Sequence, residues 1–396
     1  AHDIGHALQD LALVGCSSFA AWGDKTEDGQ LIIGRNFDFY VGDEFARNKI
    51  IAFVKPEQGH NFMSVSWGGF IGVLSGMNDQ GLTVTINAGK SNFPLVAKTP
   101  ISLVTREILQ YASTIEEAIA IAKKREVFVS ESILIGSAKD KQATIIEVSP
   151  KNFGVYEVPN SANELICSNH FQSAAYAQDK KNQDHISESH SQYRFNRMEE
   201  LLEKPRKVNP EIAVDILRNT QGLDNAEIGY GNEKALNQLL AHHGIVFKPG
   251  ELMVWVSSNP YQLGEFVAFD LKKIFATDFK VGPSHGLSTA SKDIPADPFL
   301  HSPAYKDYER YRKLYRVVKR AISEESHLSP DLLQEFEKSN PEFWEVYYLA
   351  GLYNYKKGYD TVAMEAFSKA ASKEITTVPD KERVEGYIRK LKRRLN

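Results

Sequence analysis

Val14-Gly15-Cys16-Ser17-Ser18-Phe19 lies where the chain first turns into a run of small, β-branched and aromatic residues. Similar short runs recur at 17–22, 31–39, 50–54, 63–67, 70–77 and 82–87, parted by Gly, Asp and Asn. That length and composition between turn residues predict strands. Residues 24–30 read as a hairpin loop with Asp28-Gly29 near its tip. A cysteine heading a strand is more often a small buried hydrophobe than a nucleophile. Cys16 therefore gains chemical meaning only from residues downstream of it.

Helices are expected at 101–112 and 115–124. Thr114 would cap the second, with Glu117 three residues on as a capping box requires. Strands return at 132–136, 143–148, 154–158 and 164–168. The polar stretch 172–190 reads as a surface loop. Helices at 193–203, 210–219 and 233–242 precede last strands at 245–248, 252–257 and 265–270. Blocks of strands alternating with blocks of helices favour an α+β protein of layered sheets with helices outside.

Past Pro283 the composition shifts. Residues 284–303, with Pro295, Pro298 and Pro303, read as a linker, and 304–396 as an all-α segment. Within it Tyr347, Gly351, Gly358, Ala363, Phe367 and Ala370 fall at the spacing of one tetratricopeptide helix pair. One such unit cannot bury both its faces, so it is expected either to cap the enzyme or to dock a partner.

Composition excludes several functions. The net charge of −4 is well mixed over 396 residues, with no basic stripe for nucleic acid. The basic run from Arg389 to Arg394 reads as a solvated helix end. No 18-residue apolar stretch spans a membrane. The two cysteines, Cys16 and Cys167, form no metal pattern, and a single disulfide between them stays open. His242-His243 lacks carboxylates at ligand spacing, so neither a metal nor an organic cofactor is expected. The start Ala1-His2-Asp3 reads as a trimmed N-terminus, with export to the periplasm or cell envelope as the expectation.

Four further elements lie downstream of Cys16. They are Gly34-Arg35-Asn36-Phe37-Asp38, Gly81-Leu82-Thr83-Val84-Thr85-Ile86-Asn87-Ala88-Gly89, Ile166-Cys167-Ser168-Asn169-His170-Phe171 and Ser191-Gln192-Tyr193-Arg194-Phe195. Taken singly, Arg35 and Asp38 read as a structural ion pair and Asn87 as a turn residue. Taken in order, the set resembles the cysteine N-terminal-nucleophile (Ntn) hydrolases of the penicillin acyltransferase and choloylglycine hydrolase group. The resemblance covers roughly residues 15–275, and Ser168 stands where the acyltransferase branch has Thr.

The resemblance implies a four-layer αββα sandwich of two antiparallel sheets over residues 16–283. It implies self-cleavage between Gly15 and Cys16, which makes residues 1–15 a propeptide or its tail. It also implies a catalytic set of Cys16, Arg35, Asp38, Asn87, Asn169 and Arg194, with Arg197 as a rival for the last place. The function implied is hydrolysis of linear, non-peptide amides such as N-acyl amines or N-acyl amino acids, or acyl transfer from them. The expected partner is that small-molecule substrate, beside a homo-oligomer or a partner of the helical tail.

The residue types suit amide cleavage. A free thiol is only slightly ionised at neutral pH. An N-terminal cysteine carries its own base, because an α-amino group titrates near pH 8. Arg35 would hold Asp38 ionised and lower the thiol pKa, Asp38 would orient thiol and amine, and Arg194 would brace the wall. The Asn169 amide and a backbone N–H near Asn87 would stabilise the oxyanion.

Phe37, Phe39, Tyr40, Phe62, Trp67 and Phe70 read first as core and second as walls of an acyl pocket. His170 invites a papain-like pairing with Cys16, but it directly succeeds Asn169 and would face the other way on a strand. The competing functions are a bile-salt hydrolase and a non-catalytic interaction protein that uses the helical tail.

Overall fold

The computed structural model describes residues 13–91, 98–204, 206–276 and 286–395. The first twelve residues of the expected propeptide, and the end of the expected catalytic domain at 277–283, lie outside the described residues.

Two antiparallel sheets form the first unit. One has seven strands in the order Phe153–Tyr156, Gln142–Val148, Glu131–Ser137, Leu82–Ala88, Ser75–Asn78, Phe62–Ser66 and Ile50–Val54. The other has six, in the order Glu164–Cys167, Ser17–Ala21, Ile32–Phe37, His243–Lys248, Met253–Ser257 and Phe266–Asp270. One core fills the space between them, with Ala20, Ile33 and Phe247 from one sheet meeting Met63, Leu134 and Ile145 from the other. A second core lies on the far face of the seven-stranded sheet, where Leu82, Val84 and Ile133 pack against Ile108 and Ala118. Those last two belong to helices Ile101–Tyr111 and Ile115–Lys123. Helix Pro210–Leu217 covers the far face of the six-stranded sheet, and Ser191–Glu203 packs beside strands Glu164–Cys167 and Ser17–Ala21. The four layers are the expected Ntn-hydrolase sandwich.

Local chemistry explains these elements. Thr114 accepts from the Glu117 N–H while Glu117 reaches back to the Thr114 N–H, completing the expected capping box. Gly34 faces Phe19 across two strands, and a Cβ there would sit 2.6 Å from the ring. Only glycine allows that approach.

Three local expectations are corrected. Residues 172–190 are not all loop, because Lys180–Glu188 is a helix. Its single buried residue is Asn182, whose side chain bonds the N–H and C=O of Phe171. A helix docked through an amide shows no apolar stripe for sequence periodicity to find. Conversely, 233–242 is not helical. Asn232 and Asn237 accept from the N–H groups of Lys234 and Leu239, and Leu239 takes a positive φ of 54°. Such local bonds compete with the helical ladder. The strand expected at 70–77 begins only at Ser75, after a turn in which the Phe70 N–H bonds the Trp67 carbonyl.

The second unit is helical, with Pro303–Glu324, Pro330–Ser339, Trp344–Lys356, Asp360–Ala371 and Val378–Leu395. Trp344–Lys356 and Asp360–Ala371 form an antiparallel pair whose turn holds Gly358 at φ 79°. Gly351 lies against Phe367, and Ala363, Phe367 and Ala370 are buried. Thr220–Leu239 also belongs to this unit. Tyr230 and Asn340 exchange two hydrogen bonds, the Asn232 amide donates to the Glu374 carbonyl, and Lys234 pairs with Glu374.

Candidate active site

Strand alternation decides which side chains meet. Opposite residues of an antiparallel pair project to the same face, and neighbours along a strand to opposite faces. Ser18 lies opposite Arg35, and Phe37 opposite His243. These four face the seven-stranded sheet, where Ser18 Oγ donates to Asn87 Oδ1 at 2.8 Å. Ser17 and Asn36, also opposite each other, face outward. Ser17 Oγ accepts from Arg194, and the Asn36 amide donates to the Leu217 carbonyl.

The Gly15–Cys16 bond occupies a gap between two ladders. On one side Ser17 pairs with Asn36, and on the other Val14 pairs with Phe39. The Gly15 N–H donates to the Asp38 carbonyl at 3.1 Å. The scissile bond expected from the sequence therefore lies beside Asp38.

Cys16 is 1% exposed, and Arg35 Nη2 donates to its Sγ at 3.7 Å. Burial pushes the thiol up to about 11, with Arg35 pulling it down and Asp38 and Glu131 pushing it further up. Arg35 also donates to Ser75 Oγ and the Ile86 carbonyl, and its guanidinium stacks 4.5 Å over the Phe37 ring.

Asp38 is fully buried, and neither carboxyl oxygen has a hydrogen-bond partner among the described residues. Burial raises its carboxyl to about 7, against the pull of Arg194 and Arg35. In the uncut protein that shift has a sign. Between about pH 4, where the unfolded carboxyl ionises, and about pH 7 the folded chain binds more protons than the unfolded one. Stability contributed by Asp38 should therefore fall as pH rises through that window. In an uncut Cys16→Ala background, urea midpoints across it should drop more steeply than in Cys16→Ala with Asp38→Asn. Parallel curves would refute this.

Arg194 is the convergence point. Its Nη1 donates to the Cys16 carbonyl at 2.6 Å and to Ser17 Oγ at 2.9 Å, and its Nη2 to Asn169 Oδ1 at 2.6 Å. The rival Arg197, one helical turn on, is held instead by Asn219 and Glu200. Asn169 donates through Nδ2 to the Ala88 carbonyl at 2.9 Å, and its own N–H is taken by Ser191 Oγ. Asn87 gives Nδ2 to the carbonyls of Cys167 and Ser168, at 3.0 and 3.1 Å. In the uncut chain its amide thus fastens one sheet to the other.

His170 Nδ1 lies 2.8 Å from Ser191 Oγ, with its ring beside Phe195. Burial lowers it to about 4, so it is neutral at physiological pH. It reaches the Cys16 network only through Ser191 Oγ, which also takes the Asn169 N–H, and makes no bond to Cys16 itself. His170→Ala should keep wild-type kcat within a few-fold in an amide-release assay, and a loss beyond about a hundredfold would reinstate a histidine base. Both cysteines are free, which closes the disulfide option. Phe37, Phe39 and Phe62 are core, while Trp67 and Phe70, stacked at 4.3 Å, are only partly buried against it.

Sequence reasoning missed Glu131 and Ser75, and met His243 only as half of a His pair without ligand spacing. Glu131 is buried opposite Ala88, close enough for the thiol to feel its charge. Ser75 joins Arg35 to His243. The one available signal for Glu131 was a charged residue heading a strand with Ile133, Leu134 and Ile135 at its centre. Among the described residues no group of three or more His, Cys, Asp or Glu is arranged to hold a metal ion.

The fold is thus that of an Ntn hydrolase, with a thiol at the head of its second sheet. Residues 25–257, more than half the chain, match the family described as acyl-coenzyme A:6-aminopenicillanic acid acyl-transferase, and the chain belongs to that family. It is 30% identical over 167 residues to an uncharacterised protein of Archaeoglobus fulgidus, covering 40% of this chain and 28% of that one. It is 25% identical over 147 residues to protein dcd1B of Dictyostelium discoideum, covering 36% and 29%. The chain thus spans less than a third of the length of these two relatives. Among solved structures it is similar to a Caenorhabditis elegans N-acylethanolamine-hydrolyzing acid amidase ortholog. That match has 19% identity and TM-score 0.43, covering 59% of this chain and 93% of that one. A mutant conjugated bile acid hydrolase of Clostridium perfringens matches at 14% identity and TM-score 0.43, covering 65% and 93%. No helix among the described residues is long and apolar enough to cross a membrane.

Proposed function

We propose that the chain cuts itself at Gly15–Cys16 and then hydrolyses linear amides of N-acyl amines or N-acyl amino acids through a Cys16 thioester, with acyl transfer as a second outcome. The observation that supports this most is the convergence on Cys16 of residues far apart in sequence. Arg35 touches its sulfur, Arg194 holds its carbonyl together with Asn169, and Asp38 lies beside the Gly15–Cys16 bond.

Before cleavage the Cys16 nitrogen is an amide and cannot act as a base, and the buried thiol titrates near 11. The Cys16 thiol attacks the Gly15 carbonyl, the C–N bond breaks, and the acyl group passes from nitrogen to sulfur. The thiol proton goes to the departing nitrogen, which becomes the free α-amine, and water then hydrolyses the thioester, releasing the segment that ends at Gly15 as its carboxylate and freeing the thiol. The unpartnered Asp38 carboxylate accepts a hydrogen bond from the new α-ammonium.

In the mature enzyme the α-amine takes the thiol proton as sulfur attacks the substrate carbonyl. The amine leaves with that proton, and water, an amine or coenzyme A closes the cycle on the thioester. Asn169, braced by Arg194, stabilises the tetrahedral oxyanion, with a backbone N–H near Asn87. Arg35, Asp38 and Cys16 thus serve the chemistry, and Asn87, Asn169 and Arg194 its wall.

Mass spectrometry of fresh and incubated protein tests the first step. A chain that stays intact at Gly15–Cys16 while folded would overturn it. A panel of N-acyl amino acids, N-acyl amines, bile-salt conjugates and penicillins then tests the substrate. Taurine or glycine release would select the bile-salt reading. A mature protein inert to thiol probes would select the non-catalytic one, with the helical unit as docking module.

A further inference from the structure

Arg35 is held by a hydrogen-bond chain that the proposed reaction does not use. Its Nη1 donates to Ser75 Oγ, Ser75 Oγ lies 2.8 Å from His243 Nε2, and His243 Nδ1 lies 2.8 Å from His242 Nδ1. The chain crosses between sheets, since Arg35 and His243 belong to one and Ser75 to the other. All four residues are buried.

A guanidinium only donates, so Ser75 accepts from Arg35. The hydroxyl keeps one proton and a second lone pair, so it can give to His243 Nε2 or accept from it, and the direction of the His243–His242 bond follows the same choice of tautomer. His242 Nε2 ends the row without a hydrogen-bond partner among the described residues. Burial keeps both rings neutral, helped by Lys49 and Arg35, with His242 lowered to about 3 and His243 well below its usual value. The row thus ties Arg35, its one cationic member, to two neutral rings.

Its effect falls on the thiol. Arg35 Nη2 is shared between Cys16 Sγ and the Ile86 carbonyl, so Ser75 is the anchor that sets the tilt of the fork. We propose that Ser75 and His243 are positioning residues, which hold the Arg35 guanidinium on the Cys16 sulfur and so set the reactivity of that thiol. This rests on the reading of Cys16 as nucleophile. Charged or titratable side chains facing the thiol are Arg35 from strand Ile32–Phe37, Asp38 just after that strand, Glu131 from the opposite sheet and Cys167 from the neighbouring strand. Arg194, bonded to the Cys16 carbonyl, and after processing the Cys16 α-amine add positive charge nearby, but Arg35 is the cationic side chain that donates to the sulfur itself.

Iodoacetamide alkylation of Cys16 against pH, read by mass spectrometry on processed protein, tests this. Ser75→Ala should move the alkylation midpoint up by about one pH unit, with about tenfold slower alkylation below it. Its kcat for amide release should fall while KM holds. Ser75→Thr, which keeps the hydroxyl, should restore the wild-type profile. His243→Leu should shift the midpoint the same way, because Ser75 then loses the ring that holds its hydroxyl, and it carries the test should Ser75→Ala not fold. Folded variants that share the wild-type midpoint would overturn this proposal alone. A wild-type Cys16 that neither alkylates nor undergoes processing would instead overturn the nucleophile reading, and this proposal with it.

Discussion

Replacing Cys16 with Ala is expected to leave the protein as one uncut chain and to lower amide turnover by roughly a million-fold, the scale of deleting a covalent nucleophile. Both losses would come from one atom, because in the proposed reaction the same sulfur attacks the Gly15 carbonyl first and the substrate afterwards. The substitution removes little volume from a site only 1% exposed. The sandwich should therefore stay folded, with its melting point within a few degrees of wild type. Intact mass and amide release, measured on the same sample, separate the two losses. Uncut Cys16→Ala protein that still turned over substrate at the wild-type rate would place the nucleophile elsewhere.

Arg194→Met is expected to lower kcat on the order of a thousandfold with KM nearly unchanged, the usual scale when an oxyanion wall loses its order. The planar fork spans the Cys16 carbonyl, Ser17 Oγ and Asn169 Oδ1 at once. Methionine fills similar space but bonds none of them, so Asn169 loses its orientation just where charge would develop. Arg194→Lys should recover little, since a single ammonium cannot reproduce a fork across three acceptors. Arg197→Met is the control. It breaks bonds to Asn219 and Glu200 and should cost stability while sparing kcat. Equal kcat losses in both arginine variants, measured at matched folded fractions, would refute the assignment of Arg194.

Most of the sandwich was legible because strand chemistry is local. Turn residues bounded short β-branched runs, and Thr114 with Glu117 announced a helix start that the structure repeats atom for atom. The set around Cys16 was legible as spaced motifs, and the structure assembles Arg35, Asp38, Asn169 and Arg194 about the cysteine. Elements built on polar contacts were not legible. The helix Lys180–Glu188 docks through Asn182, and the stretch before His243 is shaped by Asn side chains that satisfy their own backbone. Glu131, Ser75 and His243 stayed hidden for a different reason. Each meets the site only through sheet register or across the gap between sheets, and single-chain periodicity carries neither.

Thr220–Leu239 has a consequence for how this architecture can be edited. That stretch leaves the sandwich after helix Pro210–Leu217, joins the helical unit and returns to strand His243–Lys248. The backbone of Phe343 sits within 2.4 Å of where a Cβ at Gly229 would stand, and Trp344 donates to Thr376, which in turn donates to Asn232. A stop codon placed at the Pro-rich stretch near residue 297 would thus delete the helices yet strand twenty upstream residues without their packing partners. Gene truncation should accordingly yield aggregation rather than a lean catalytic half, and lineages could shed the helices only by rewriting this internal excursion as well.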